Sequence, residues 1–330
     1  MKPQLSKLLT LFILALVLQA CSGSGKPGYW VNNQIDSGKR EELHKLNNQV
    51  FKDIKTEDHL HLKSMLSKEL LDKSYLYRQV ATISSYLNKN DYTLFKEYYV
   101  VNKWRDEDTI KAQGSGINSY SLYYTGLAKE MYMVFYLPKT GISKKMITAS
   151  YCKYDYGWKL AKLDLELYCM NGKTAPELYN MAKDKMQKNY LSDAVSTMEL
   201  AYNCLTPSYV WKYPEDSLMR DFNNKLVEQA NEKFTFPFMI RELPTHPQIF
   251  RVFNQKMPDD VYYPMIYYIS SIPLKDTAAV RRENTALKKV IGKVIPGIDK
   301  EKKYLYYGAF NQLPSIKVAV DHIDFTDKLQ

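Results

Sequence analysis

The sequence predicts an α+β protein with a first domain of helices and an antiparallel sheet, a helical hairpin, and a second small α+β domain. The main observation is a change of period. Apolar residues recur at steps of three and four between residues 39 and 88, as in amphipathic helices, and the pattern alternates between residues 92 and 167, as in strands. A second observation is that helical and alternating patterns follow one another again after residue 174.

Residues 39–88 are predicted to be helical. Two apolar stripes lie at helical spacing, one formed by Leu43, Leu46, Val50 and Ile54 and the other by Leu76, Val80, Ile83 and Leu87. Between the stripes, Thr56 followed by two acids indicates a helix start, and Ser67 begins another helix. The helical pattern ends at the polar run of residues 88–91.

Five strands are predicted after this polar run, because aromatic and β-branched residues become frequent. The predicted strands are residues 92–104, 119–125, 130–137, 145–154 and 158–167. Pro138–Gly141 and Asp155–Gly157 are turn sequences. The last two strands are therefore expected to pair as a hairpin.

The order of elements from Lys39 to Tyr168 closes on residues 156–160 (YGWKL) and 163–165 (LDL). Over residues 39–170 it resembles the nuclear-transport-factor-2-like (NTF2-like, or cystatin-like) cone fold, by pattern and without a diagnostic motif. The resemblance implies a curved sheet wrapped around a helix, with a pocket at the wide end. Members of the family include enzymes, ligand binders and interaction modules, so the resemblance does not imply one function.

An enzyme with this fold would need an acid/base pair in the pocket, such as a carboxylate with a tyrosine or a histidine. Asp164 and Glu166 lie on the last predicted strand, where Leu163, Leu165 and Leu167 occupy the alternate positions. We therefore expect the leucines to face the core and the two acids to face solvent. No catalytic residue is predicted.

Residues 171–232 are predicted to form a helical hairpin and a linker helix. The apolar positions of the hairpin resemble one tetratricopeptide (TPR) repeat: Leu178, Met181, Ala182, Ala194, Met198 and Ala201. No second copy follows at the expected spacing of about 34 residues, so we expect a linker rather than a peptide-binding array. The hairpin would bring Cys204 back beside Cys169, and we hypothesise a disulfide between them.

Residues 233–330 are predicted to form the second small α+β domain. Its predicted strands are residues 234–243, 248–254, 261–270, 304–310 and 316–320. A helix is predicted from Asp276, as its N-cap, to about Val294. The buried stripe of this helix would consist of Val280, Leu287, Ile291 and Val294.

The amino terminus has the three parts of an export signal: Lys2 and Lys7, a nearly unbroken apolar run over residues 8–18, and the sequence LQAC ending at Cys21. The apolar run is shorter than the roughly 20 residues that span a bilayer. LQAC resembles the lipobox of bacterial lipoproteins, which implies cleavage before Cys21 and acylation of Cys21 by palmitate-type chains. The alternative is an ordinary secretory signal with a coincidental cysteine.

On the lipoprotein interpretation, residues 1–20 are a signal peptide, and residues 21–38 are a lipidated anchor and flexible tether. The chain would be held at a membrane in the bacterial cell envelope through the lipid on Cys21. No acidic cluster follows Cys21, which favours a periplasm-facing position. The sequence leaves open whether the inner or the outer membrane carries the anchor.

Removing residues 1–20 takes away two lysines and no acid, which lowers the formal charge from +10 to +8. A positive charge favours anionic surfaces such as lipid head groups, whereas the exported compartment argues against nucleic acid as a partner. Five basic residues of the predicted C-terminal helix are candidates for contact with an anionic surface: Arg281, Arg282, Lys288, Lys289 and Lys293. The alternative is an ordinary solvated helix face.

His59 and His61 lie two residues apart in a predicted helix and would point in different directions, whereas metal ligands on a helix lie three or four apart. The sequence also lacks zinc-ligand spacing, a Gly-rich phosphate loop and a nucleophile elbow. No metal and no cofactor is predicted.

The sequence therefore predicts a membrane-anchored envelope lipoprotein that acts as a non-catalytic binding or scaffold module. One alternative is an enzyme that uses an acid/base pair in the NTF2-like pocket. The other is a structural subunit of an envelope protein complex. An envelope protein is the expected partner, and the identity of any small-molecule ligand is left open.

Overall fold

The computed structural model describes residues 26–315 and 320–329. Within them the chain forms eight α-helices and three sheets with mostly antiparallel strands, which confirms the predicted α+β class. The predicted signal peptide, Cys21 and most of the predicted strand 316–320 lie outside the described residues. No helix among the described residues is both long and apolar enough to cross a membrane.

The chain divides into two compact units. The first comprises the residues up to Ile110, residues 123–139 and residues 147–165, and the second comprises residues 111–122, 140–146 and 166–330. The second unit therefore contains both the helical hairpin and the C-terminal residues, which the sequence predicted as two segments.

Four helices lie in the first unit. They are α1 (Ser37–Thr56), α2 (His59–Met65), α3 (Lys68–Leu71) and α4 (Leu76–Lys89). Asp58 caps α2 and Ser67 caps α3, each accepting a hydrogen bond from the backbone amide three residues on. The start predicted at Thr56 is wrong, because Thr56 ends α1 and Asp58 is the cap. Both predicted apolar stripes are buried, apart from the half-buried Leu46.

All five strands predicted for this region are present. The strands up to the hairpin are β1 (Gly28–Val31), β2 (Tyr92–Val101), β3 (Glu107–Gln113), β4 (Tyr120–Thr125), β5 (Glu130–Pro138), β6 (Lys144–Tyr154) and β7 (Gly157–Cys169). The main sheet has the order β1-β2-β5-β6-β7. The short strand β8 (Trp211–Lys212) joins a three-stranded sheet of order β3-β4-β8.

Strand β1 lies inside the segment predicted as a flexible tether, and that part of the prediction is wrong. Gly28–Val31 pairs antiparallel with residues 98–101 of β2, and the ring of Trp30 lies 5.7 Å from the ring of Tyr99. The aromatic residues Tyr29 and Trp30 suit a strand. The predicted tether therefore does not extend to residue 38, because a strand begins at Gly28.

The helices of the first unit cover one face of its main sheet. Leu43, Val50 and Ile54 of α1 belong to one apolar core with Val134 and Ala149 of the sheet. These five side chains are fully buried. The core also contains the α4 stripe, so the apolar side chains of both long helices pack with the sheet in one cluster.

The second unit begins with the hairpin of α5 (Ala175–Gln187) and α6 (Leu191–Asn203). Ala182, Ala194 and Ala201 are fully buried, which allows the two helix backbones to approach closely. Asn189 makes the turn with a left-handed φ of 63°. The predicted hairpin is therefore present, whereas its TPR identity stays a prediction.

The rest of the second unit consists of α7 (Asp216–Lys233), β9 (Phe238–Met239), β10 (Gln248–Lys256), β11 (Tyr262–Ile269), α8 (Thr277–Val294), β12 (Tyr304–Phe310) and β13 (His322–Lys328). The sheet order is β13-β12-β11-β10-β9, and β11 runs parallel to β12. Parallel neighbours need a crossover connection, and α8 provides it. Asp276 caps α8 as predicted. The strand predicted at 234–243 is wrong in length, since only β9 forms there.

Candidate functional site

A row of polar residues runs along the sheet-facing side of α1. Arg40, His44 and Asn47 lie four and three residues apart, so they share one helix face with the buried Leu43 and Val50. The polar row and the apolar stripe therefore both meet the sheet. We call this row and the sheet residues hydrogen-bonded with it, directly or through Glu97, the Glu97 cluster. Its members are Arg40, His44, Asn47, Glu97, Tyr132, Tyr136 and Tyr151.

Glu97, on β2, is fully buried and accepts three side-chain hydrogen bonds. Arg40 Nε donates over 2.5 Å to Oε1, and His44 Nε2 lies 2.7 Å from Oε2. The Tyr132 hydroxyl donates to Oε2 over 2.7 Å. Because a carboxylate only accepts, the ring nitrogen of His44 that faces Glu97 carries its proton. Both oxygens of the buried carboxylate are therefore matched by donors.

Asn47 continues the cluster across the sheet. It accepts a 2.8 Å hydrogen bond from the Tyr151 hydroxyl and donates a 2.9 Å bond to the Tyr136 hydroxyl. Burial raises the pKa of Tyr136 to about 12. Burial also raises the pKa of Tyr151 and, together with the hydrogen bond to Glu97, that of Tyr132. These phenols stay protonated at neutral pH; Tyr132 and Tyr151 act as hydrogen-bond donors in the cluster and Tyr136 as an acceptor.

The Glu97 cluster contains the residue types of an acid/base site. The side chain of His44 is 33% exposed. Its Nε2 contacts Glu97, whereas its Nδ1 does not. A neutral histidine oriented by a buried carboxylate is a common general base. The sequence reasoning missed this grouping because His44 stands alone in sequence, 53 residues from Glu97. Its spacing from Arg40 and Asn47 on a buried helix face was the available signal.

A second polar group surrounds Asp193 on α6. This carboxylate is only 3% exposed, and it forms 2.7 Å ion pairs with Lys185 on α5 and with Lys302 just before β12. Lys302 Nζ also donates to the carbonyl oxygens of Gly297 and Ile298, each over 3.0 Å. Burial lowers the pKa of Lys302 despite the attraction of Asp193. Two lysines thus share one buried carboxylate.

This group lines a hollow of about 240 Å³ within the second unit, which we call the Asp193 hollow. Lys173 and Lys303 add positive charge to its lining, and Glu301 adds a negative one. The apolar part of the lining consists of Leu178, Met181, Leu200, Val261 and Pro264. A hollow with convergent charges on one side and apolar side chains on the other has the features of a small-molecule site.

His61 and His59 differ in their surroundings, as their spacing predicts. His61 Nδ1 lies 2.6 Å from Oδ2 of the buried Asp53, whereas the His59 ring lies edge-on to Tyr77. Ligand atoms of Asp53, Asp58 and His61 all lie within 4.8 Å of one another. Asp53 accepts from Gln49 over 2.7 Å as well as contacting His61, so its two oxygens have protein partners.

The cysteine hypothesis stays a prediction. Cys152, Cys169 and Cys204 are buried free thiols in the structure. Burial, together with the neighbouring Cys169, raises the pKa of Cys204 to about 12. The hairpin therefore does bring the second thiol near the first.

The five basic residues predicted for surface contact lie on α8, but they do not act alike. Arg281, Arg282, Lys289 and Lys293 are exposed. Lys288 Nζ instead donates to the carbonyl oxygen of Thr326 over 2.9 Å, which ties α8 to β13. Lys288 therefore has a structural contact within the second unit.

Leu163 and Leu165 are buried and Glu166 is exposed, as predicted, whereas Asp164 and Leu167 are both half-buried. A sheet carboxylate that is fully buried in the first unit is Glu97, on a different strand. Comparison of the chain with protein-family models, with curated proteins and with solved structures finds no match in any of the three.

Proposed function

We propose that this chain is a lipid-anchored protein of the bacterial cell envelope whose first unit, an NTF2-like cone, serves as a non-catalytic binding or scaffold module. One observation carries the non-catalytic part of the proposal. The carboxylate of the Glu97 cluster is fully buried and its oxygens accept from Arg40, His44 and Tyr132. Such a cluster fixes α1 to the sheet and supplies each carboxylate oxygen with at least one donor from the protein.

The packing of the first unit supports the same proposal. An enzyme or receptor of this fold needs open space between the helices and the sheet. Here Leu43, Val50 and Ile54 pack with Val134 and Ala149 in one fully buried core. The unit would therefore act through its outer surface.

The anchor would hold this surface near the membrane. Six residues separate Cys21 from β1, which begins at Gly28. Even fully extended, the seven steps between these positions span at most about 25 Å. A short anchor of this kind raises the local concentration of the folded chain at the membrane surface.

An apolar surface at one end of the helices is our choice for the protein contact. Leu60 is 86% exposed, Tyr77 65% and Tyr75 50%. The ring of His59 lies 6.4 Å from the ring of Tyr77, which brings the start of α2 next to the start of α4. Single exposed apolar residues are ordinary, but three at adjoining helix starts suit a protein partner.

Acylation is tested by labelling cells that express the chain with a radioactive palmitate. The parent chain should carry label and fractionate with membranes. A Cys21→Ser variant should carry no label and leave the membrane fraction. Equal labelling of the two chains would contradict the lipoprotein proposal.

Partner contact is tested with a photo-crosslinking residue at position 60. Leu218 on α7 is the matched control, since it is also an exposed leucine (57%). Crosslinking at position 60 should give a discrete higher-mass species that is absent for position 218. If neither position crosslinks, or both give the same species, the proposed contact surface is wrong.

A second candidate function is acid/base catalysis by His44, favoured by its 2.7 Å contact with Glu97 and its partial exposure. A His44→Gln variant separates the two functions, because the glutamine amide retains a donor toward Glu97 and loses the titrating ring. In cells where loss of the protein gives an envelope defect, this variant should restore the parent phenotype if the cluster is structural. Failure to restore it, at parent protein level, would favour catalysis.

A further inference from the structure

The Asp193 hollow contains two buried cations and one buried carboxylate. The exposed fractions of the side chains are 12% for Lys185, 9% for Lys302 and 3% for Asp193. An ammonium group has three protons. Lys302 uses its protons on Asp193, on Gly297 and on Ile298. Lys185 Nζ lies 2.7 Å from Asp193 Oδ2 as an ion pair, but Oδ2 accepts no hydrogen bond among the described residues, so the Lys185 ammonium has donors for a ligand.

The other acidic side chains near the hollow have cationic partners of their own. Glu301 lines the hollow, but its carboxylate forms an ion pair with Lys188, outside the lining. Asp299, which attracts the charge of Lys302, forms an ion pair with Lys300. Lys173 and Lys303 also line the hollow, but both are exposed, so the buried excess charge belongs to Lys185 and Lys302 beside the single carboxylate of Asp193. A buried excess charge costs free energy unless it is paired. The lining is therefore complementary to an anion.

The wall opposite the charges distinguishes between kinds of anion. Leu178 and Leu200 are buried apolar residues of α5 and α6 that line the hollow, and Pro264 of β11 is also buried. If an inorganic anion such as phosphate bound in the hollow, it would have no apolar part to cover these side chains, which would stay in contact with water. A cavity of about 150 Å³ accommodates a six-carbon ring, so a hollow of about 240 Å³ has room for a ring and a charged group.

We propose that the Asp193 hollow binds a small organic carboxylate, with its charged group on Lys185 and its apolar body against Leu178 and Leu200. This function goes beyond a scaffold, since it gives the second unit a small-molecule site. It does not depend on lipid anchoring or on a protein partner, and it can hold or fail independently of both.

The test compares three probes by calorimetric titration of the full-length chain in detergent. Benzoate combines a ring with a carboxylate, benzamide has the same shape without the charge, and inorganic phosphate has charge without an apolar body. A titration of each probe into detergent alone is the blank. Benzoate should bind at least tenfold more tightly than either of the others.

Variants assign the binding to the hollow. Lys185→Met should weaken benzoate binding at least tenfold, and Lys185→Arg, which retains the charge, should keep it within about threefold. Lys183→Met is the matched control, because Lys183 lies on the same helix but contacts the Tyr179 ring outside the hollow. It should bind benzoate as the parent does. Thermal unfolding of each variant checks that it folds.

Three outcomes would overturn the proposal. Equal binding of benzamide would mean that the hollow recognises an apolar ring without the charge. Equal or tighter binding of phosphate would mean that it recognises charge alone. Parent-like benzoate affinity in a folded Lys185→Met variant would place the binding elsewhere.

Discussion

Each unit contains a buried carboxylate that contacts cationic side chains from other elements, Glu97 in the first unit and Asp193 in the second, and the two differ in the charges of their partners. Glu97 meets one permanent cation, Arg40, a histidine and a tyrosine hydroxyl, and its unit has an apolar core between α1 and the sheet. Asp193 meets two cations and lies beside a hollow. The balance of charge and the presence of free volume therefore distinguish a cluster that holds the fold from one that can bind a ligand.

The comparison matters because a buried charge is weak support for function by itself. Breaking a buried ion pair costs stability whether or not the pair does chemistry. What separates the two clusters is the effect of removing one cation. The first would be left with an unbalanced carboxylate, whereas the second would be left with a balanced pair.

The largest effect is expected from Arg40→Met. This change leaves the carboxylate of Glu97 buried with only His44 and Tyr132 as donors, and we expect the free energy of unfolding to fall by about 2–3 kcal/mol. The value is at the low end for a buried pair because Arg40 is 30% exposed. Urea unfolding of the parent and the variant measures it. Glu41→Gln, on the exposed face of α1, should leave the unfolding midpoint unchanged.

A Tyr132→Phe variant should change how stability depends on pH. The pKa of Tyr132 is raised in the folded chain, so above about pH 10 the unfolded chain loses a proton that the folded chain retains. The contribution of Tyr132 to the free energy of unfolding is fully present below about pH 10 and is lost as the pH rises above that value. For each pH unit above about 10, the free energy of unfolding should fall by about 1.4 kcal/mol more in the parent than in the variant.

This experiment consists of urea unfolding at several pH values between 8 and 11. Other tyrosines are common to both chains, so their contributions cancel in the difference. Near pH 8 the variant should be the less stable by about 1 kcal/mol, because it lacks the hydrogen bond to Glu97. A gap between the two chains that stays constant with pH would mean that Tyr132 ionises in the folded state as readily as in the unfolded one.

A smaller effect on stability is expected from Lys185→Met. Asp193 keeps Lys302 as a partner in this variant, so no buried charge is left uncompensated, and the free energy of unfolding should change by less than about 1 kcal/mol. The same urea measurement as for Arg40→Met gives a direct comparison of the two clusters. A loss as large as that of Arg40→Met would show that the second cluster also serves mainly to hold the fold.

Much of the fold was predictable from periodicity, and the failures have physical reasons. The stripes on α1 and α4 and the alternation in β5 to β7 are long, so their periods are clear. Strand β1 was missed because it is four residues long and follows a Gly- and Ser-rich sequence. Strand β3 was missed because it is mostly charged or polar on both faces, and its pairing with β4 holds it in the sheet.

The candidate sites were less predictable than the fold. Glu97 and Arg40 are 57 residues apart, and Asp193 and Lys302 are 109 apart. No local spacing links such residues, since the tertiary fold alone brings them together. A polar residue within a buried helix stripe, such as Asn47 or Asp193, is the sequence feature that would have pointed to both clusters.

The last prediction concerns the reactivity of the three cysteines and involves no change in stability. A Cys21→Ser variant contains only Cys152, Cys169 and Cys204. Burial raises the pKa of Cys152 and of Cys204 to about 12, so few molecules carry a thiolate at pH 8. The native variant should react slowly with a thiol reagent, and the variant unfolded in urea should show three reactive thiols.

A single reactive thiol after unfolding would instead support the hypothesis of a disulfide between Cys169 and Cys204. Reduction before unfolding is the control, and it should give three thiols in either case. Proximity alone does not oxidise a thiol pair, because a thiolate and access for an oxidant are also needed. Cys204 Sγ donates to the carbonyl oxygen of Leu200 over 3.3 Å in a fully buried position. Once the chain has folded, this position protects the thiol, so a disulfide would have to form before α5 and α6 pack.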